Sequence, residues 1–160
     1  MSVYTPIIMA HNTSSVEAFL EPAQSCICFN LRKSARVVTQ QYDASFRTLG
    51  LKSTQFSLLV GIRLLGTVTI NRLAEAMVMD RTTLTRNLKP LETQGLIRTL
   101  PGVDRREKEI TLTTSGQTIL TKALPLWKKA QESIKNEIGV ARATRLLKDL
   151  ASTVQSTKQH

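Results

Sequence analysis

The residues best suited to chemistry cluster between Asp80 and Gln94. At about 100° per residue, Leu84, Leu88 and Leu91 fall in one narrow stripe of a helix. Thr82, Arg86 and Lys89 fall on the opposite side, and Thr85 flanks them. A helix divided in this way can dock on its own domain through leucines and present hydroxyls and cations outward. That is what a helix in a DNA major groove requires. An arginine can bond a guanine bidentately, and a threonine can offer a hydroxyl to a base or phosphate and a methyl to thymine. Arg81, Thr82, Thr85, Arg86 and Lys89 are therefore candidate contacts. Taken alone, the same face also fits an ordinary amphipathic surface helix.

A second centre is Asp104-Arg105-Arg106. It lies in a charged tip between two strand-like runs. Arginine on such a tip can enter a narrow minor groove, where negative potential is concentrated. Asp104 is a poor DNA contact and is better read as pairing with a neighbouring arginine to fix its rotamer. A merely solvated tip is the alternative. Cys26 and Cys28 complete the reactive inventory. On a helix they point about 200° apart, so they are not expected to bridge. Two thiols without a disulfide framework fit a reducing cytoplasm. His11 lies in a polar tail and His160 is the last residue, which leaves no imidazole in the folded body. A Gly-rich phosphate loop, a Cys/His metal pattern and paired carboxylates are all missing, so neither an enzyme nor a cofactor is expected.

Composition supports a nucleic-acid partner. The chain of 160 residues has 22 Lys and Arg against 12 Asp and Glu, a net charge of +10. Such an excess favours a polyanion. Hydrophobic residues reach 41%, enough for a core, but aromatics only 4%, so the core must be aliphatic. That favours packed helices. No apolar run approaches the roughly 18–20 residues of a membrane span, and the N-terminus lacks the pattern of a secretory signal. The charge is not concentrated in the reading region. Residues 70–112 have 8 basic and 6 acidic residues, whereas residues 113–160 have 8 and 3. Binding by the former must depend on arrangement rather than bulk charge.

The elements that position these residues follow from periodicity and punctuation. Residues 1–15 read as a mobile tail, and residues 16–160 as one domain. A helix is expected from Glu21 to Gly50, with Ile27, Leu31, Ala35, Val38 and Tyr42 on one stripe. A second, almost wholly apolar helix covers Ser53–Leu65 and must be buried on most sides. Thr67-Val68-Thr69 could pair with a later strand. A short helix follows over 70–78, then a break at Met79-Asp80, with Asp80 as N-cap of the groove-facing helix and Gly95 at its end. Strands are expected at Leu96–Leu100 and Lys108–Leu112. Thr113 should cap a long helix that Pro125 bends or breaks, and Gly139 separates it from a last helix carrying Leu146, Leu147, Leu150 and Val154. The order helix, helix, short strand, helix, helix, hairpin describes a mainly α winged helix-turn-helix over about 51–112. Long helices at about 21–48 and 114–157 are left over, and a second copy of the chain is their natural partner.

At this level of detail the chain resembles the MarR family of bacterial transcriptional regulators over about residues 21–155. The resemblance is carried by Leu51-Lys52-Ser53-Thr54-Gln55-Phe56-Ser57-Leu58-Leu59, Leu73-Ala74-Glu75, Asp80-Arg81-Thr82-Thr83-Leu84-Thr85-Arg86, Leu91-Glu92-Thr93-Gln94-Gly95-Leu96-Ile97, Asp104-Arg105-Arg106 and Leu112-Thr113-Thr114-Ser115-Gly116, in order. It implies a homodimer binding a pseudo-palindromic operator in double-stranded DNA, most often a repressor released by a small aromatic ligand or by oxidation. It places Thr82, Thr83, Thr85 and Arg86 at the major groove and Arg106 at the wing tip, supported by Asp104. It implies a ligand cleft between the dimerising helices and the reader, for which Arg36, Tyr42 and Arg63 are candidate lining residues. Cys28-Phe29-Asn30-Leu31 resembles the reactive-cysteine segment of the family's peroxide-sensing branch, which makes Cys28 a candidate redox thiol; Arg32 stands where that branch has a tyrosine. Lys52 stands where the family often has a capping threonine, so Gln55 is expected to lose its capping-box partner and Ser53 to cap instead. A basic helical interaction protein without sequence-specific DNA binding is the alternative from a different functional class.

Overall fold

A computed structural model describes residues 20–102 and 107–157. The mobile-tail assignment, His11 and His160 lie outside the described residues. In order, the elements are α1 (Leu20–Ser25), α2 (Ile27–Phe46), a 3-10 turn (Arg47–Leu49), α3 (Ser53–Leu65), β1 (Val68–Thr69), α4 (Ile70–Met77), α5 (Arg81–Thr93), β2 (Ile97–Pro101), β3 (Lys108–Leu112), α6 (Thr114–Ile138) and α7 (Val140–Thr157). Residue contacts divide the chain into two units between Gln40 and Gln41, inside α2.

Among the described residues, the first unit comprises α1 and most of α2. The single helix expected from Glu21 is interrupted at Cys26. Pro22 lies in the first turn of α1, where its missing N–H costs no helical bond, and α2 begins at Ile27. The Phe29 N–H donates to Cys26 Sγ at 3.4 Å, and the Asn30 amide donates to the Cys26 carbonyl at 2.9 Å. Cys26 therefore precedes α2 rather than lying on it. The Cys26 N–H still bonds the Pro22 carbonyl and its carbonyl accepts the Asn30 N–H, each at 3.1 Å, and Cys26 and Cys28 are unbridged, as their spacing predicts.

The second unit holds an aliphatic core with an aromatic wedge. Phe46 and Phe56 pack with ring centroids 4.9 Å apart, and Leu59, Ile62, Leu73, Leu84 and Leu91 are fully enclosed. The sheet has order β1-β3-β2, all antiparallel, with Val68 opposite Ile110 and Ile97 opposite Leu112. Val68 closes the sheet on the far side of β3, as its three-residue run foreshadows. The Gly102 N–H bonds the Glu107 carbonyl at 2.9 Å and closes the base of the hairpin.

Capping departs from the sequence reading at α3. Lys52 is the N-cap, but an ammonium side chain can only donate and cannot accept from the helix. Gln55 keeps its half of the arrangement, because the Lys52 N–H donates to Gln55 Oε1 at 2.8 Å. The Ser53 hydroxyl does not cap. The Asp43 carboxylate of α2 does so instead, accepting the Ser53 N–H at 2.7 Å and pairing with Lys52 Nζ at 3.5 Å. Partial burial pushes the Asp43 carboxyl up, but the Ser53 hydrogen bonds and the Lys52 ammonium outweigh it and hold its pKa below the ordinary 3.8.

Two helices end in the same motif with different residues. At α5, Gly95 is left-handed (φ 67°), the Gly95 N–H bonds Glu92 O and the Leu96 N–H bonds Leu91 O, each at 2.9 Å. At α4 the same pair of bonds runs from Val78 to Glu75 and from Met79 to Ala74, and here the left-handed residue is Val78, with φ 53° and ψ 47°. A β-branched side chain in that conformation costs about 1–2 kcal/mol, so the turn between α4 and α5 is imposed by the packing around it. It falls one residue earlier than the expected break. Pro125 neither breaks nor divides α6, which is continuous from Thr114 to Ile138. The carbonyl it deprives belongs to Thr121, an exposed residue, where water can supply the missing donor.

The joint between the wing and α6 is the tightest in the fold. Thr113 caps α6 by accepting the Gly116 N–H at 3.0 Å, donates its hydroxyl to Gly95 O at 2.6 Å, and donates its own N–H to Leu96 O at 3.1 Å. A Cβ on Gly116 would overlap that Leu96 carbonyl. Helix propensity favours alanine over glycine by about 1 kcal/mol, whereas an overlap that forces backbone apart costs about 1–3 kcal/mol and more where the overlap is severe, as it is here. Gly116→Ala is therefore expected to lower the thermal midpoint clearly. Gly61→Ala meets the flexible end of Met77, with Sδ at 2.9 Å, and Leu73 Cδ1 at an ordinary contact distance of 3.5 Å, and should be neutral or stabilising. Calorimetry of both variants checks the contrast, and equal midpoints would remove the steric account of Gly116.

A candidate nucleic-acid interface

Helix α5 is held from three sides. Leu84, Leu88 and Leu91 are buried in the core, as their spacing predicts. Asp80 caps the N-terminus, accepting the Thr83 N–H at 2.8 Å. Hydrogen bonding from the Thr83 side chain and backbone keeps the Asp80 carboxyl below its ordinary 3.8, so it is ionised at neutral pH and occupies the positive end of the helix. At the other end Glu92 Oε1 accepts the Thr99 hydroxyl at 2.7 Å, which ties the last turn of α5 to β2. Pro90 lies inside α5 without ending it. It leaves the Arg86 carbonyl without its helical donor, on an exposed residue that water can reach.

With its apolar side fixed, α5 presents Arg81, Thr82, Thr85, Arg86 and Lys89 as exposed residues. Among the described residues none of these three cations is in an ion pair. The Thr85 hydroxyl donates to Arg81 O at 2.8 Å, which leaves its lone pairs and methyl available. Thr83 is half-buried and its N–H is used by the Asp80 cap, so it supports the helix start. Arg81, Thr82, Thr85, Arg86 and Lys89 line one concavity of about 710 Å³, closed on its other side by Thr99 of β2 and by Lys108 and Ile110 of β3. The structure thus brings together the helix residues singled out by spacing. Asp104, Arg105 and Arg106 lie outside the described residues.

Sequence reasoning missed Lys108 and the Glu92–Thr99 tie. Strand alternation carries the signal for both. Lys108 shares a face of β3 with buried Ile110 and Leu112, and Thr99 shares a face of β2 with buried Ile97. Both side chains therefore lie on the helix side of the sheet.

The candidate ligand residues do not share one pocket. Arg63 lines a cavity of about 410 Å³ between α3 and α6, with Val60, Leu64, Gln117, Leu120, Thr121 and Leu124. Tyr42 is not among them. Its ring stacks on Phe46, 6.2 Å between centroids, its hydroxyl bonds Gln131 Oε1, and burial raises its pKa. Arg36 is exposed on α2. Cys26 and Cys28 are exposed, free thiols. Among the described residues no cluster of His, Cys, Asp or Glu could hold a metal, and no helix is long and apolar enough to cross a membrane.

Comparison with known proteins gives a consistent picture. The MarR family model matches residues 51–108. The chain is 30% identical over 87 residues to the Bacillus subtilis HTH-type transcriptional regulator YwoH, covering 54% of this chain and 64% of that protein, less than two thirds of its length. It is 34% identical over 101 residues to the organic hydroperoxide resistance transcriptional regulator of the same organism, covering 62% of this chain and 69% of that protein. Among solved structures, the Mycobacterium tuberculosis regulator MosR in complex with DNA superposes with a TM-score of 0.77 at 38% identity, over 84% of this chain and 98% of that one. The winged helix-turn-helix, the order of its elements and these relatives together show that the chain belongs to the MarR family of transcriptional regulators.

Proposed function

We propose that the chain is a homodimeric, sequence-specific DNA-binding repressor that a small aromatic ligand releases from a pseudo-palindromic operator. The observation that supports this reading best is the division of α5. Leu84, Leu88 and Leu91 are buried, so Thr82, Thr85, Arg86 and Lys89 form an outward face beside the wing. The MosR structure, similar over most of this chain, contains DNA. A partner copy is supported by apolar side chains that the single chain leaves exposed. They are Ile27, Phe29, Leu31, Val37 and Val38 on α2, and Leu146, Leu147, Leu150 and Val154 on α7. Two copies place half-sites about one DNA turn apart, near 34 Å. At the wing tip, Arg105 and Arg106 add minor-groove contacts with Asp104 in support.

Arg86 carries base preference in this reading. Arg86→Ala is expected to relax selectivity by about 1–3 kcal/mol at one position of each half-site. Footprinting on a selected palindrome reads both this and the half-site spacing. A single unpaired footprint, or undiminished selectivity, would count against the reading.

The cavity beside Arg63 suits the releasing ligand, because an apolar wall with one cation at its rim matches an aromatic carboxylate or phenolate. Benzoate should raise the DNA dissociation constant of the wild type. Arg63→Ala should need about tenfold more benzoate for the same effect, read by fluorescence anisotropy. An unchanged benzoate response would place the ligand elsewhere.

A second reading, thiol control, is favoured by the exposed cysteines at the start of α2 and by the identity shared with the hydroperoxide-resistance regulator. The Cys28 thiolate would attack the O–O bond of a hydroperoxide, form a sulfenic acid and release the alcohol. Hydroperoxide should abolish DNA binding by the wild type but not by Cys28→Ser. Retention of both titratable thiols after treatment would exclude this mode.

A further inference from the structure

We propose that Lys108 is a phosphate anchor for the duplex that α5 reads, an assignment that rests on the DNA-binding reading above. Lys108 opens β3 opposite Pro101, at the end of the sheet beyond the core. It shares its strand face with buried Ile110 and Leu112, so its stem lies on the helix side. There it lines the concavity that holds Arg81, Thr82, Thr85, Arg86 and Lys89. It also lines an adjoining recess of about 100 Å³ with Thr69, Asn71, Arg81 and Glu107. Lys108 and Arg81 are thus the two cations common to both hollows, one from the wing strand and one from the first turn of α5. Among the described residues no carboxylate comes within ion-pair distance of the Lys108 ammonium, that of neighbouring Glu107 included.

A base contact from this position is disfavoured by chemistry. The ammonium is a compact point charge on a flexible stem at the edge of the reading face, and it lacks the planar fork that matches a base edge. A backbone phosphate beside the groove is the fitting partner. The Asn71 amide and Arg81 guanidinium on the same rim can share it. The anchor would fix how deeply α5 sits between the strands without reading sequence.

The test measures dissociation constants against salt for wild type, Lys108→Gln and Lys108→Arg. It uses a duplex that the wild type selects from a randomised pool and an unselected duplex of equal length. Loss of one phosphate contact should reduce the slope of log affinity against log salt by about 0.9. The gap between wild type and Lys108→Gln should therefore narrow roughly 3.5-fold from about 50 to about 200 mM salt. Both duplexes should lose affinity by the same factor, Lys108→Arg should restore the slope, and the thermal midpoint should stay unchanged. An unchanged slope, or a loss confined to the selected duplex, would overturn the assignment while leaving the DNA-binding reading intact. Failure of the wild type to enrich any duplex from the pool, or to bind the unselected one, would overturn both.

Discussion

Burial of three leucines on one side of α5 is the constraint on which the rest depends. Once Leu84, Leu88 and Leu91 are enclosed, the azimuth of the helix is fixed, and every polar residue opposite them is fixed with it. The Schellman end at Gly95, the Asp80 cap and the Glu92–Thr99 bond then remove the remaining freedom, sliding along the axis and tilting away from the wing. Among the described residues the cations of the exposed face are in no ion pair, because the means of holding the helix lie on its other sides or at its ends. A helix so fixed keeps its side-chain rotamers free to meet a partner while its backbone stays still.

The wing is built on the same principle. Thr113 bonds Gly95 and Leu96 while capping α6, so the end of α5, the start of β2 and the start of α6 meet at one threonine. Gly116 lets the backbones approach that closely. The start of α6 is therefore tied to the end of α5 by hydrogen bonds at a single residue. The Arg63 cavity is walled in part by α6. A molecule filling it would press on the element that is tied to the reader.

Much of this was legible in the sequence because it is local. The α5 leucine spacing, Asp80, Gly95 and Thr113 each act within a turn or two, and periodicity and capping rules locate them. What escaped is long-range or depends on context. Asp43 lies ten residues from the Ser53 N–H that it caps, so the Lys52 substitution looked like a lost cap although α2 supplies the replacement. Gly116 is required by a carbonyl twenty residues earlier. Pro125 was expected to bend or break α6, but its cost depends on whether water reaches Thr121. One lysine in a strand reads as solvent-facing until its alternation with buried Ile110 and Leu112 is followed. Asp104, Arg105 and Arg106 lie outside the described residues.

Val78 adds a consequence of its own. The angle between α4 and α5 passes through a valine whose intrinsic preference is for extended backbone, and no glycine or asparagine there assists the bend. The elbow is thus a property of the assembled body and not of the segment. Cut free as a peptide, residues 70–93 would have no local reason to stay folded back on themselves. The orientation of α5 is set instead by what it packs against, the earlier helices α3 and α4 and the strand β2 that follows.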